Sequence, residues 1–275
     1  MAKKKKMQKK TLRITILAGA VLLVICALGL IIPSLVDNLV GEGNFKIEDR
    51  TKNILKEKKK DEEGYETIAW LRVQGTRIDT PIIGYSNVEA INNIQKEDFL
   101  WNENDQEKLH NRVNIQGHNI LNLSANPEVG LKYFTKFEEL MGFVYTDFAK
   151  ENQYVQYTVD GENYLYQIFA VYFEEDYRLD LYRDEDYSEE EVKTFINRSL
   201  EKSIYKYDIE VKDTDKIITL ITCTRMYGVD DKKQFVVVGK MVDNNTPTAS
   251  YKVEETSHYE QIKKLMEGVD ENVEA

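Results

Sequence analysis

The segment that decides the fold is DKIITLITC, residues 215–223, which is followed by TRMYGVDD, residues 224–231. Apolar and β-branched side chains fill residues 217–222, a composition that predicts a β-strand over residues 216–222. The strand ends at Cys223, and the residues after it have the polar and glycine content of a turn. The sequence therefore predicts a thiol at the end of a strand, beside a loop.

The N-terminus has the pattern of a membrane anchor. The first 13 residues carry seven cations and no acid, and the 19 residues from Ile14 to Ile32 are uncharged. A helix of that length spans about 28 Å, close to a hydrocarbon core of about 30 Å. The positive-inside rule puts the N-terminus in the cytoplasm and the rest of the chain outside the cell. The alternative, a cleaved signal, usually has a shorter apolar region of about 7–15 residues.

The charge of the remaining chain excludes one class of partner. Without the seven N-terminal cations, 30 basic residues face 48 acidic ones, a net charge of −18. Nucleic acids and anionic lipid surfaces repel such a domain. We therefore expect no nucleic-acid partner.

Cysteine usage draws attention to one thiol. The chain has two cysteines, and Cys26 lies within the apolar N-terminal segment. Cys223 is then the one cysteine of the exported part, where unpaired thiols are uncommon. Two interpretations remain open, a reactive thiol or a small buried apolar side chain.

The chain from residue 65 to residue 243 predicts a mostly β domain with inserted helices. The dipeptide Asp160-Gly161 predicts a tight hairpin, and Ser188 with Glu191 predicts a capped helix. A further short helix is expected at residues 134–141. The arrangement predicted is a mostly antiparallel barrel or sandwich. The predicted strands are residues 68–73, 78–83, 113–116, 154–159, 164–173, 216–222 and 235–242.

A histidine could activate the thiol. Of the three histidines, His118 follows the predicted strand 113–116 through Gly117, at a strand end that solvent can reach. A thiol with a pKa of about 8.5 is mostly protonated at neutral pH, so a nucleophilic cysteine needs a base or cation beside it. We assign structural or surface roles to His110 and His258.

The sequence contains no recognisable signature of a cofactor. Neither a Cys/His metal pattern nor a phosphate loop or dinucleotide fingerprint occurs. The dense acidic runs at residues 61–63 and 184–191 are typical of solvated helix faces. We therefore predict neither a cofactor nor a metal.

Two motifs resemble the sortases, the cysteine transpeptidases of Gram-positive cell surfaces. Residues 114–119, NIQGHN, resemble the Gly-His-Asn segment of the family, and residues 219–223, TLITC, resemble its Thr-Leu-x-Thr-Cys strand. The helix after Ser188 and the N-terminal anchor are similar to those of class B. The resemblance implies a sortase-type eight-stranded β-barrel with inserted helices, preceded by a transmembrane helix.

The resemblance also implies a reaction. Cys223 would attack the Thr carbonyl of a C-terminal sorting signal on a secreted or pilin protein, forming an acyl-thioester. An amine of a cell-wall precursor or of a pilin lysine would then take the acyl group, with His118 as acid and base. The sorting motif stays open between Leu-Pro-x-Thr-Gly-like and Asn-Pro-x-Thr-like sequences.

The sequence departs from the family at one position. An arginine usually precedes the apolar run of the last strand, and Gln234 stands there in this chain. We expect Arg225 to take its role, with Lys233 as the rival. Two alternatives to a transpeptidase remain open. One is a thiol hydrolase of the same fold, since acceptor choice depends on loop shape, and the other, suggested by the missing arginine, is a catalytically impaired surface binding module.

These observations together predict how the chain is organised. The catalytic domain is expected outside the cell, held by a single membrane pass. The predicted segments are a basic cytoplasmic tail (1–13), a transmembrane anchor (14–36), a stalk with a helix (37–64), the sortase-like catalytic domain (65–243) and a C-terminal tail (244–275).

Overall fold

Eight strands form a closed barrel in the computed structural model of the chain. The structure describes residues 45–59, 65–85, 100–102, 109–117, 137–174, 186–224, 226–227 and 233–273. The predicted basic tail and transmembrane anchor lie outside these residues. No helix in the part of the chain that the structure describes combines the length and the apolar composition needed to cross a bilayer.

Ten strands are present within the described ranges. They are β1 (Tyr65–Val73), β2 (Asp79–Tyr85), β3 (Leu100–Asn102), β4 (Arg112–Gly117), β5 (Tyr154–Val159), β6 (Glu162–Glu174), β7 (Tyr205–Tyr207), β8 (Ile217–Cys223), β9 (Gln234–Val242) and β10 (Val253–Glu255). The barrel has the order β1-β2-β3-β4-β8-β9-β6-β5, and β5 pairs back with β1 to close it. The strands β7 and β10 form a separate two-stranded sheet.

Helical segments lie before, between and after the strands. They are α1 (Thr51–Lys58), a 3-10 helix (Phe137–Val144), α2 (Thr146–Glu151), α3 (Glu189–Lys202) and α4 (Ser257–Val273). The predicted capping box is confirmed, since the Ser188 side chain accepts from the Glu191 backbone N–H and Glu191 caps Ser188 in return. The segment expected to be helical at 134–141 instead forms a fully buried 3-10 helix that begins and ends three residues later.

The hairpin between β5 and β6 follows from local backbone chemistry. Asp160 and Gly161 have φ values of +54° and +73°. Two successive residues with positive φ form the type of turn whose twist matches antiparallel strands. The predicted Asp-Gly hairpin is confirmed, and it fixes the register of β5 on β6.

The continuous apolar run of β8 is explained by burial on both faces. Ile218 and Leu220 pack inside the barrel, whereas Ile217 and Ile221 pack beneath α3 with Phe195. Because successive strand residues point to opposite faces, a strand covered on both faces needs apolar residues throughout. The helix α3 therefore covers the outer face of β8, so that the strand is packed on both of its faces.

The segment before β1 is fastened to the barrel by one carboxylate. Asp79 accepts hydrogen bonds from Arg50 (2.5 Å, Nη2 to Oδ2) and from the Trp70 indole (2.5 Å). Burial raises the pKa of Asp79, but the hydrogen bonds from Arg50 and Trp70 outweigh it and leave this pKa below its ordinary value. Ile54 of α1 is buried as well, so the helix expected in the stalk region packs onto the domain.

The C-terminal residues are more ordered than the sequence suggests. The sequence predicts a loop with a short helix or a frayed end after residue 243, whereas the structure has β10 and the 17-residue helix α4. Tyr259, Ile262 and Met266 of α4 are buried in the cluster that also fills the barrel. This spacing of three and four residues places them on one helical face.

Replacing Ile262 with Ala should lower the free energy of unfolding by about 2–5 kcal/mol, because it removes a buried branched side chain and leaves a cavity. The exposed neighbour provides the matched control: Lys263→Ala should change it by no more than about 0.5 kcal/mol. Urea denaturation of the two variants checks this. Equal stabilities would show that α4 does not contribute to the core.

Candidate functional site

Cys223 is the last residue of β8 and is exposed to solvent. The six residues before it in β8 are all buried. The strand has β4 on one side and β9 on the other, so the backbone that carries the thiol is hydrogen-bonded in both directions. The predicted position of the thiol, at the end of a strand, is confirmed.

The strand β4 runs parallel to β8 and ends at the same edge of the barrel. Its last residue, Gly117, pairs with Thr222, and the Thr222 hydroxyl donates to the Gly117 carbonyl at 2.9 Å. His118 follows Gly117 directly in the sequence and lies outside the described residues. The pairing thus brings the chain leading to His118 and the chain leading to Cys223 side by side.

The other neighbour, β9, places a buried amide opposite the thiol. Cys223 pairs with Gln234 in the antiparallel ladder, and Gln234 is 4% exposed. Gln234 in turn pairs with Glu174, the last residue of β6. Cys223, Gln234 and Glu174 therefore form one row across three strands.

Glu174 is a buried carboxylate whose charge is offset by two cations. It is 2% exposed. It accepts hydrogen bonds from Lys202 Nζ at 2.9 Å and from the Arg198 guanidinium, both on α3. The two cations compensate the charge of this carboxylate. The sequence does not reveal this cluster, because the two cations are more than 20 residues away from Glu174 along the chain. Only the packing of α3 brings the three side chains together.

The loop after the thiol is anchored at its base. The Thr224 backbone N–H donates to the Lys233 carbonyl at 3.2 Å, and the Met226 backbone N–H donates to the Thr224 hydroxyl at 3.2 Å. Met226 is buried in the barrel core. Arg225, the expected substitute for the arginine of the family, lies outside the described residues.

Lys233, the rival to Arg225, is directed towards an aromatic ring. Its Nζ lies 3.7 Å from the centre of the Tyr227 ring. Tyr227 meets Phe173 edge-on with ring centres 5.7 Å apart, and Phe173 packs on Phe235 at 5.1 Å. A cation over an aromatic face is attracted by the ring quadrupole, so this ammonium stabilises the base of the loop.

The remaining two histidines have local partners. His110 is buried with Nδ1 3.1 Å from an Asp186 carboxylate oxygen, and Asp186 also accepts from the Asn111 backbone at 2.9 Å. The Nε2 of His258 lies 3.0 Å from the Glu201 carbonyl. These contacts agree with the structural and surface roles expected from the sequence.

A cavity of about 190 Å³ lies beneath α3. Arg112, Glu190 and Arg198 are among its lining residues, and Cys223 is not. The Arg112 guanidinium lies 3.5 Å from the centre of the Phe195 ring and 4.6 Å from that of Tyr187. These stacking contacts fasten α3 to β4, so we interpret this space as part of the packing between helix and barrel.

Comparison with known proteins agrees with the motifs. The Sortase domain profile matches residues 71–242. Sortase B of Staphylococcus aureus is 24% identical over 64% of this chain and 70% of its own length.

Solved structures share the fold. A mutant form of sortase B from Clostridium perfringens is 25% identical, with a TM-score of 0.53 over 69% of this chain and 86% of that one. A Staphylococcus aureus sortase B–substrate complex has a TM-score of 0.54 at 18% identity, over 72% of this chain and 87% of that one. The second likeness is one of fold alone.

Two threonines of β8 test how the strand end is held. Replacing Thr222 with Val keeps the shape but removes its bond to the Gly117 carbonyl, and should lower the free energy of unfolding by about 1 kcal/mol. Thr219 is the matched control, since its buried hydroxyl has no hydrogen-bond partner within the described residues. The Thr219→Val variant should be as stable as the parent or slightly more so. Denaturant titration of both variants checks this, and a larger loss for Thr219→Val would contradict it.

Proposed function

This chain belongs to the sortase family, as a cysteine transpeptidase of class B, and on that premise we propose that Cys223 is its nucleophile and His118 its acid and base. The observation that carries the proposal is the end of β8, where an exposed thiol follows six buried residues. Cys223 is the one cysteine within the described residues. A nucleophile must be accessible to its substrate while its backbone stays fixed. The end of β8 satisfies both requirements.

Chain connectivity supports His118 as the partner of the thiol. Gly117 and Thr222 are paired across β4 and β8, and His118 and Cys223 are the residues that follow them. Neighbouring strands lie about 4.8 Å apart and consecutive Cα atoms about 3.8 Å apart, so the two Cα atoms are separated by at most about 12 Å. An imidazole and a thiol on such neighbours are within reach of one substrate.

The first half of the proposed reaction forms a thioester. The Cys223 thiolate attacks the carbonyl carbon of a Thr in the substrate, and the carbonyl electron pair moves onto oxygen. When this intermediate collapses, the C–N bond to the next residue breaks and the amine leaves with a proton from the His118 imidazolium. Protonation of the leaving amine is needed because an amide anion is a very poor leaving group.

The second half transfers the acyl group to an amine. The amine nitrogen attacks the thioester carbon, neutral His118 takes the proton, and the C–S bond breaks to return the thiolate. The products are a new amide and the original enzyme. Proton donation and acceptance by one imidazole balance over the cycle.

The proposed substrates are secreted or pilin proteins with a C-terminal sorting signal, and the proposed acceptor is an amine of a cell-wall precursor or of a pilin lysine. Two points support this: the class B relationship, and the fold shared with a Staphylococcus aureus enzyme that was solved as a substrate complex. The anchored topology, with a cytoplasmic N-terminus and an extracellular domain, belongs to the same proposal and rests on the pattern of residues 1–36.

We propose Arg225 as the cation that stabilises the oxyanion, because it stands two residues after the thiol. Preorganised donors at the oxyanion are commonly the largest electrostatic contribution to acyl transfer. The contact of the Lys233 ammonium with the Tyr227 ring supports this choice over Lys233.

Replacing Cys223 with Ala should lower peptide cleavage by at least about 1000-fold, because the covalent route is lost. The full chain is incubated with quenched peptides that contain Leu-Pro-x-Thr-Gly or Asn-Pro-x-Thr, with and without triglycine, and the products are identified by mass spectrometry. Triglycine should appear joined to the Thr carbonyl.

The matched control for this experiment is Cys26→Ala, which removes the other cysteine and should leave cleavage unchanged. Turnover by Cys223→Ala would show that the nucleophile is elsewhere. Cleavage without incorporation of triglycine would favour the hydrolase alternative. Absence of cleavage by the parent chain would favour the binding module.

A further inference from the structure

A neutral side chain lies opposite the thiol in the sheet. Gln234 is the direct partner of Cys223 in the antiparallel ladder between β8 and β9. Residues opposite each other in such a ladder project from the same face, with Cβ atoms about 5 Å apart. A glutamine amide on that neighbour reaches the space around the sulfur and any acyl group bound to it.

The two residues share the outer face of the barrel. Leu220 and Val237 pack inside, while Ile221 and Val236 pack beneath α3. Since side chains alternate along each strand, Cys223 has the same orientation as Ile221, and Gln234 the same as Val236. Lys233 precedes Gln234 and therefore belongs to the opposite face, in agreement with its contact to Tyr227.

Burial makes this amide suited to a fixed polar role. Gln234 is 4% exposed although it lies next to an exposed cysteine. A donor whose position is fixed by burial needs little reorganisation when charge develops beside it. Side-chain amides are among the groups that stabilise oxyanions.

The carboxylate next to Gln234 in the row is ion-paired. On the far side of Gln234, Glu174 is bound by both Arg198 and Lys202. Glu174 lies two strands from the thiol, about 10 Å away. The single carboxylate of the row is thus compensated and adds no net repulsion to a negative oxygen near Cys223.

We propose that the Gln234 carboxamide N–H donates a hydrogen bond to the acyl carbonyl oxygen at Cys223, complementing the cation assigned to Arg225. This inference rests on the proposed function. When the thiolate attacks, the carbonyl electron pair moves onto this oxygen. The hydrogen bond from the Gln234 N–H then strengthens as the negative charge on the oxygen grows. When the oxyanion collapses and the C–N bond breaks, the electron pair returns from the oxygen to the carbonyl double bond. Gln234 exchanges no proton in either step.

The decisive variant is Gln234→Met, which keeps the length and burial of the side chain but removes its donor. It should lower kcat for peptide cleavage by about 100-fold, with a smaller change in KM, because the bond is strongest in the transition state. The variant Gln234→Glu, which replaces the donor with a negative charge, should lose more. Gln234→Arg restores donors and should recover most of the activity.

Gln167→Met is the matched control. Gln167 is also 4% exposed and lies in the barrel, but it pairs with Lys240 at the other end of β9. This variant should cleave peptide like the parent. Alkylation of Cys223 by iodoacetamide and the thermal midpoint should be the same for Gln234→Met and the parent, since the amide acts on the substrate oxygen.

Three outcomes would overturn the inference. Activity of Gln234→Met within about twofold of the parent would show that the amide is not a donor. A slower alkylation of Cys223, or a lower thermal midpoint that accounts for the lost rate, would show that it serves the thiol or the fold. If the parent cleaves neither the Leu-Pro-x-Thr-Gly nor the Asn-Pro-x-Thr peptide, the proposed function itself has failed, and the inference fails with it.

Discussion

The position of β8 between β4 and β9 is the constraint on which the rest of the site depends. Its parallel pairing with β4 aligns the ends of the two strands that lead to Cys223 and His118. Its antiparallel pairing with β9 places Gln234 opposite the thiol. A shift of either register by one residue would turn the side chains of one strand to the other face. Backbone hydrogen bonding thus determines which groups surround the sulfur.

The packing of α3 keeps this strand in place. The face of β8 that does not point into the barrel is covered by α3, through contacts of Ile217 and Ile221 with Phe195. The same helix supplies Arg198 and Lys202 to Glu174 at the end of the row that contains the thiol. One inserted helix therefore provides both apolar cover and compensating charge, while the thiol at the end of the strand is exposed.

Local patterns in the sequence predicted the parts of the fold that local chemistry determines. The apolar run ending at Cys223, the Asp160-Gly161 turn and the Ser188 cap each depend on neighbouring residues, and each is confirmed. The strands β3, β7 and β10 were not predicted, because three residues are too few to show a period. The placement of Gln234 beside Cys223 and of Lys233 over Tyr227 depends on register and loop packing, which single-sequence patterns do not reveal. The membrane anchor and the segment boundaries stay predictions.

The account depends most directly on a covalent bond between Cys223 and the substrate. The measurement that tests it is intact-mass spectrometry of the full chain, mixed with a sorting peptide and quenched in acid, followed by peptide mapping. The account predicts an adduct equal in mass to the N-terminal part of the peptide, ending at its Thr carbonyl, attached to Cys223 and released by hydroxylamine. Cleaved peptide without any adduct, or an adduct mapped to another residue, would contradict it.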